Sequence, residues 1–133
     1  MNTYIKTLTS ITILAVLTLT GCATTEEDSV LNDTMNIEKI SSREATVVFV
    51  NITQSGDHLV LRGMVRRRLP GRGLIPGHID LEVIGANGAV LENFEIAYHR
   101  HSIKSSYASF RAILKTTPPP GSKILVIHKT DSL

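Results

Sequence analysis

The chain has 133 residues, of which 42% are hydrophobic, 5% aromatic and 20% charged. That length and balance exclude a multidomain enzyme, a long coiled coil and a wholly disordered protein, and leave room for at most one small domain. The formal net charge is +2, but it is spread unevenly and carries meaning only segment by segment.

Met1 to Lys6 holds one positive charge, and Thr7 to Thr20 holds none. This is the layout of a signal peptide. At about 1.5 Å per residue the uncharged run makes roughly 21 Å of helix, short of the roughly 30 Å of hydrocarbon that a spanning helix must cross, so a permanent transmembrane anchor is not expected. The run closes on Leu19-Thr20-Gly21-Cys22, which resembles the lipobox of bacterial lipoproteins. The resemblance covers about 22 residues. It implies diacylglycerol on the Cys22 sulfur, cleavage before Cys22 and acylation of the new amine. Ala23 in the next position, rather than Asp, implies transfer to the outer membrane of a Gram-negative cell, facing the periplasm. The alternatives are a non-lipidated leader cut near Ala23 and a buried free cysteine.

Cys22 is the only cysteine, so the chain has no internal disulfide and no second thiol for redox or thiolate-metal chemistry. The covalent lipid is the one prosthetic group expected, and no dissociable cofactor is. Each buried acyl methylene contributes about 0.8 kcal/mol, so two or three chains hold a small domain to a bilayer without any apolar protein surface.

The sequence therefore divides into a lipoprotein signal peptide at 1–21, a flexible acidic tether at 22–42 and a folded domain at 43–133. The tether holds Glu26, Glu27, Asp28, Asp33 and Glu38 against Lys39, with little to bury before Ile37. From Ser41 onward twelve Lys and Arg face seven Asp and Glu. The domain is basic and the tether acidic, a contrast that serves either attraction to acidic envelope components or plain solubility.

Beyond Ala45 the periodicity is two, which predicts strands. Thr46 to Ile52, a turn at Gln54-Ser55-Gly56-Asp57, and the alternating run from Leu59 to Arg66 read as a hairpin. Ile79, Leu81 and Val83 alternate with His78, Asp80 and Glu82, and Asn87-Gly88 predicts a type I′ turn. The next run, Ala89 to Tyr98, is irregular enough to predict a bulge near Glu92. Tyr107 to Leu114 places Ala108, Phe110, Ala112 and Leu114 on one face, and Pro118-Pro119-Pro120-Gly121 excludes a ladder strand. Ile124 to Ile127 reads as a last strand buried on both sides. Six or seven strands in about 90 residues predict an all-β fold, a small antiparallel β-sandwich of immunoglobulin-like type, with a small β-barrel as alternative. Pro76 to Leu91 resembles the central hairpin of bacterial immunoglobulin-like and fibronectin-like envelope modules, families of spacers, adhesins, assembly factors and carbohydrate binders.

Arg66, Arg67, Arg68 and Arg72 fall in one Gly- and Pro-containing stretch. Guanidinium groups on a loop meet carboxylate or phosphate bidentately, so these four are the expected contacts to an envelope protein or other anionic envelope component. The other reading is a solvated loop that keeps a strand edge from pairing. Nucleic acid is not expected, since export and the lack of an aromatic ladder both argue against it. Spacing by two sets His99 and His101 on one side of a strand as an alternative metal edge, with His78 or His128 as a third ligand, which would make the chain a periplasmic metal-binding protein. No enzymatic activity is expected. The serines at 102, 105, 106 and 109 lack a glycine-framed elbow, and Asp80 with Glu82 reads as well as a solvated strand face as an acid/base pair.

Overall fold

The computed structural model describes residues 35–71, 73–99, 102 and 104–130. These form seven strands and no helix: β1 (Asn36–Ile40), β2 (Ala45–Ser55), β3 (His58–Arg67), β4 (His78–Ile84), β5 (Val90–Ile96), β6 (Tyr107–Leu114) and β7 (Lys123–Lys129). Two sheets, ordered β1-β7-β4-β5 and β2-β3-β6, pack face to face as a small β-sandwich. Every pairing is antiparallel except β1 with β7. No described helix is long and apolar enough to cross a membrane. The expected signal peptide and lipobox, and most of the expected tether, lie outside the described residues.

Alternation builds the core. Ile79, Leu81 and Val83 of β4, Ile124 and Val126 of β7, Leu59, Leu61 and Val65 of β3, and Phe110 and Leu114 of β6 are all buried in one cluster shared by both sheets. Each such aliphatic side chain stabilises the fold by about 1.5–3 kcal/mol on burial. Ile75 joins them from the β3–β4 connection.

Three expectations change in detail. Asn36–Ile40, assigned above to the tether, is a strand: it runs parallel to β7 in register from Asn36↔Lys123 to Ile40↔Ile127, with Ile37 packed on the core. The polar composition hid it, because a five-residue edge strand needs only one or two apolar anchors once a central strand supplies the ladder. Asn87-Gly88 does not form a type I′ turn. Only Gly88 is left-handed, at φ +84°, while the Gly88 N–H donates to the Gly85 carbonyl at 2.9 Å and the Gly85 N–H to the Ala89 carbonyl at 2.8 Å. That is a three-residue loop, a type I turn closed by a left-handed glycine. Finally, β7 is buried on its inner face alone, with Leu125 and Ile127 half-buried on the other, because no second layer among the described residues covers that side.

Candidate functional site

The four arginines of the basic stretch do not act alike. Arg67, at the end of β3, turns back on its own loop, donating from Nη1 to the Gly71 carbonyl at 2.6 Å and from Nη2 to the Gly73 carbonyl. Arg68 donates from Nη1 to the Ser42 carbonyl at 3.0 Å, and its backbone N–H bonds the Glu44 carbonyl at 2.8 Å. Arg67 thus fixes the shape of its own loop, and Arg68 braces it against the β1–β2 connection. Arg72 lies outside the described residues. Arg66 remains on the outer face of β3, exposed.

The register of the three-stranded sheet gives Arg66 its companions. Arg66 pairs with Tyr107 on β6, Met64 with Ser109 and with Phe49 on β2, and Arg62 with Arg111 and with Asn51. One outer face therefore carries Arg62, Arg66 and Arg111 among Phe49, Met64, Tyr107 and Ile113, and none of its described residues is acidic. Phe49, Tyr107 and Ile113 are 44%, 39% and 49% exposed, so a substantial apolar area lies between the guanidinium groups. The alternation of Tyr107 to Leu114 already put Arg111 on a polar side. Which strand it faces depended on the β3–β6 register, which no local pattern encodes. The two edges of this sheet are in part engaged. His99 and Ser109 exchange backbone bonds of 2.7 and 2.9 Å, and beside β2 the Lys39 ammonium donates to the Val48 carbonyl at 3.1 Å.

A second polar group lies on the outer face of the other sheet. His78 Nε2 stands 3.1 Å from Asp80 Oδ1 and 3.7 Å from Glu95 Oε1, and Lys129 binds Asp80 Oδ2. Asp80 and Glu95 are direct cross-strand partners, as are His78 and Lys129. The Asp80 carboxylate holds the Lys129 ammonium above the usual lysine range. Asp80 and Glu82 share this face, but Asp80 is engaged by His78 and Lys129. His99 is exposed in its bridge to Ser109 and is no part of this group, while His101 lies outside the described residues.

The third group is centred on a buried imidazole. His128 is buried at the end of β7, with Nδ1 2.8 Å from Ser42 Oγ and Nε2 2.5 Å from Tyr98 Oη. The Ser42 hydroxyl donates to Glu44 Oε2 at 2.9 Å, and the Tyr98 hydroxyl also reaches the Pro76 carbonyl at 3.5 Å. Thr130 also donates to Glu44 Oε2, at 2.7 Å. Burial pushes the imidazole below the usual histidine range, against the opposing pull of the Pro76 carbonyl and the Glu44 carboxylate. The hydroxyls of Thr130 and Ser42 hold the Glu44 carboxyl low. A serine beside a histidine invites a catalytic reading. Here, however, Ser42 Oγ also accepts the backbone N–H groups of Glu44 at 3.0 Å and Ala45 at 3.2 Å, which makes it a turn anchor. This set was invisible in the sequence, since Ser42 and His128 are 86 positions apart.

Cys22 lies outside the described residues. Comparisons with family models, with curated proteins and with solved structures find no match.

Proposed function

We propose that the chain is an outer-membrane lipoprotein, anchored by lipid on Cys22 and facing the periplasm, whose β-sandwich is a non-catalytic binding module for an acidic surface of another envelope protein. The observation that carries this reading is the composition of the outer face of β2, β3 and β6. Arginine, aromatic residues and methionine are the types enriched at protein interfaces, while Lys, Asp and Glu are depleted there, and this face follows that division. Arg62 directly opposes Arg111. One carboxylate on a partner can therefore accept from both guanidinium groups. The acidic segment before Asn36 and the lipobox support display of the domain at a distance from the bilayer. The engagement of Ser42 Oγ by the Glu44 and Ala45 N–H groups supports the non-catalytic reading.

The test is photo-crosslinking in intact cells from a probe replacing Tyr107, with a probe at Glu82 on the opposite outer face as control. One envelope protein should be captured from Tyr107 and not from Glu82. Replacing both Arg66 and Arg111 by Ser should lower that capture at least about tenfold without unfolding the domain. The same cells carrying Cys22→Ser should release the protein from membranes and lose lipid labelling. Capture indifferent to the arginines would overturn the contact face, and a protein still labelled without Cys22 would overturn the anchor.

A further inference from the structure

The face formed by β4, β5 and the end of β7 holds a donor set that neither the basic face nor the lipid anchor uses. Three features set it apart from an ordinary surface ion pair. The ligand atoms of His78, Asp80 and Glu95 all lie within 4.8 Å of one another. Zinc bonds imidazole nitrogen and carboxylate oxygen at about 2.0–2.2 Å, so ligand atoms of a tetrahedral site stand about 3.4 Å apart, and the observed separations of 3.1 and 3.7 Å from His78 Nε2 bracket that edge. In addition, Asp80 and Glu95 are directly opposed carboxylates. Such a like-charged pair destabilises a sheet, and the Lys129 ammonium is bound to the far oxygen, Asp80 Oδ2. Asp80 Oδ1 therefore faces His78 and Glu95 with its carboxylate already oriented from behind.

We propose that His78 Nε2, Asp80 Oδ1 and Glu95 Oε1 form a three-ligand site for a divalent transition-metal cation of the zinc class. One imidazole and two carboxylates suit zinc better than calcium or magnesium, which favour oxygen alone, and better than copper(I), which favours sulfur. His78 also lines a concavity of about 360 Å³ with Leu74, Ile75, Gly77, Ala97 and Tyr98. The site differs from the His99 and His101 edge expected from the sequence, sharing with that expectation only His78. It is independent of the binding face on the other sheet.

The experiment is a calorimetric titration of zinc chloride into the full chain carrying Cys22→Ser, because a free thiol is itself a zinc ligand. One ion should bind per chain. His78→Ala and Glu95→Gln should each weaken binding at least about tenfold, His99→Ala should leave it unchanged, and Lys129→Gln should tighten it by removing a neighbouring positive charge. The Glu95 side chain is 72% exposed, so its variant reports on the site even where His78→Ala fails to fold. Absence of saturation at millimolar zinc overturns the site, as does an affinity indifferent to both His78→Ala and Glu95→Gln. Calcium bound as tightly as zinc overturns the assignment of metal class.

Discussion

Gly63 shows how far a single side chain is constrained in this core. It pairs with Phe110 across β3 and β6, and the Phe110 ring lies over its α-carbon: a β-carbon placed there would come within 2.2 Å of the ring. Phe110 is buried and fills the gap the glycine leaves. Gly63→Ala should therefore destabilise the domain by about 1–3 kcal/mol, the range for overpacking a filled core. Chemical denaturation measures this, and adding Phe110→Leu should recover part of the loss, because the two residues share one contact. A second variant with no recovery would place the strain in the backbone. The alternation of Leu59, Leu61 and Gly63 marks Gly63 as an inward position, but the ring that fills its space sits 47 positions later.

At the scale of elements, two bulges decide what faces outward. In β2 the register shifts between Val47 and Phe49, so Ala45 and Val47 face inward before it and Ile52 after it. The extra residue, Val48, is exposed, and Phe49 moves to the basic face. In β5 the register shifts beside Leu91, since Val83 pairs with Glu92 and Ile84 with Val90. The irregular run of apolar residues near Glu92 made this second bulge legible, while the unbroken β-branched run of β2 concealed the first. The bulge in β5 also aims Glu92 across the sandwich, where it accepts from the Lys115 N–H at 3.0 Å, the Thr116 N–H at 3.4 Å and the Thr116 hydroxyl at 3.2 Å. These bonds close the end of β6. Glu92→Ala should cost about 1 kcal/mol and lower the melting temperature by several degrees, with Glu92→Gln losing less. Equal losses in the two variants would mean that the carboxylate charge, not its acceptor geometry, carries the effect.

For the whole molecule, the contact of Ser42 with His128 ties the start of the domain to its last strand. It also makes folding sensitive to acid. Because burial holds the His128 imidazole below its ordinary value of 6.5, the unfolded chain takes up a proton that the folded chain refuses. Stability is therefore full above about pH 6.5 and falls as the pH drops from there toward the folded value. Glu44, held below its ordinary 4.5, adds a second loss as the pH falls past that point. Thermal melts across this range should show both losses, and His128→Gln should flatten the first while leaving the second. An unchanged slope in the variant would place the acid sensitivity elsewhere.

Read without a structure, the residues determine the all-β class, most strand positions and the inward set of β4 and β6, because each of these follows from a period of two and from local breakers. They also carry the whole argument for the proposed lipid anchor, since Leu19-Thr20-Gly21-Cys22 is a contiguous pattern whose resemblance to a lipobox needs no fold to be read. Only the tertiary structure decides the strand order, the membership of Asn36–Ile40 in a sheet and the grouping of Arg62, Arg66 and Arg111 on one face, as well as that of His78, Asp80 and Glu95. Those groupings depend on register between strands far apart in the chain. Register is set by how two sheets bury one common core, a property that no single segment contains.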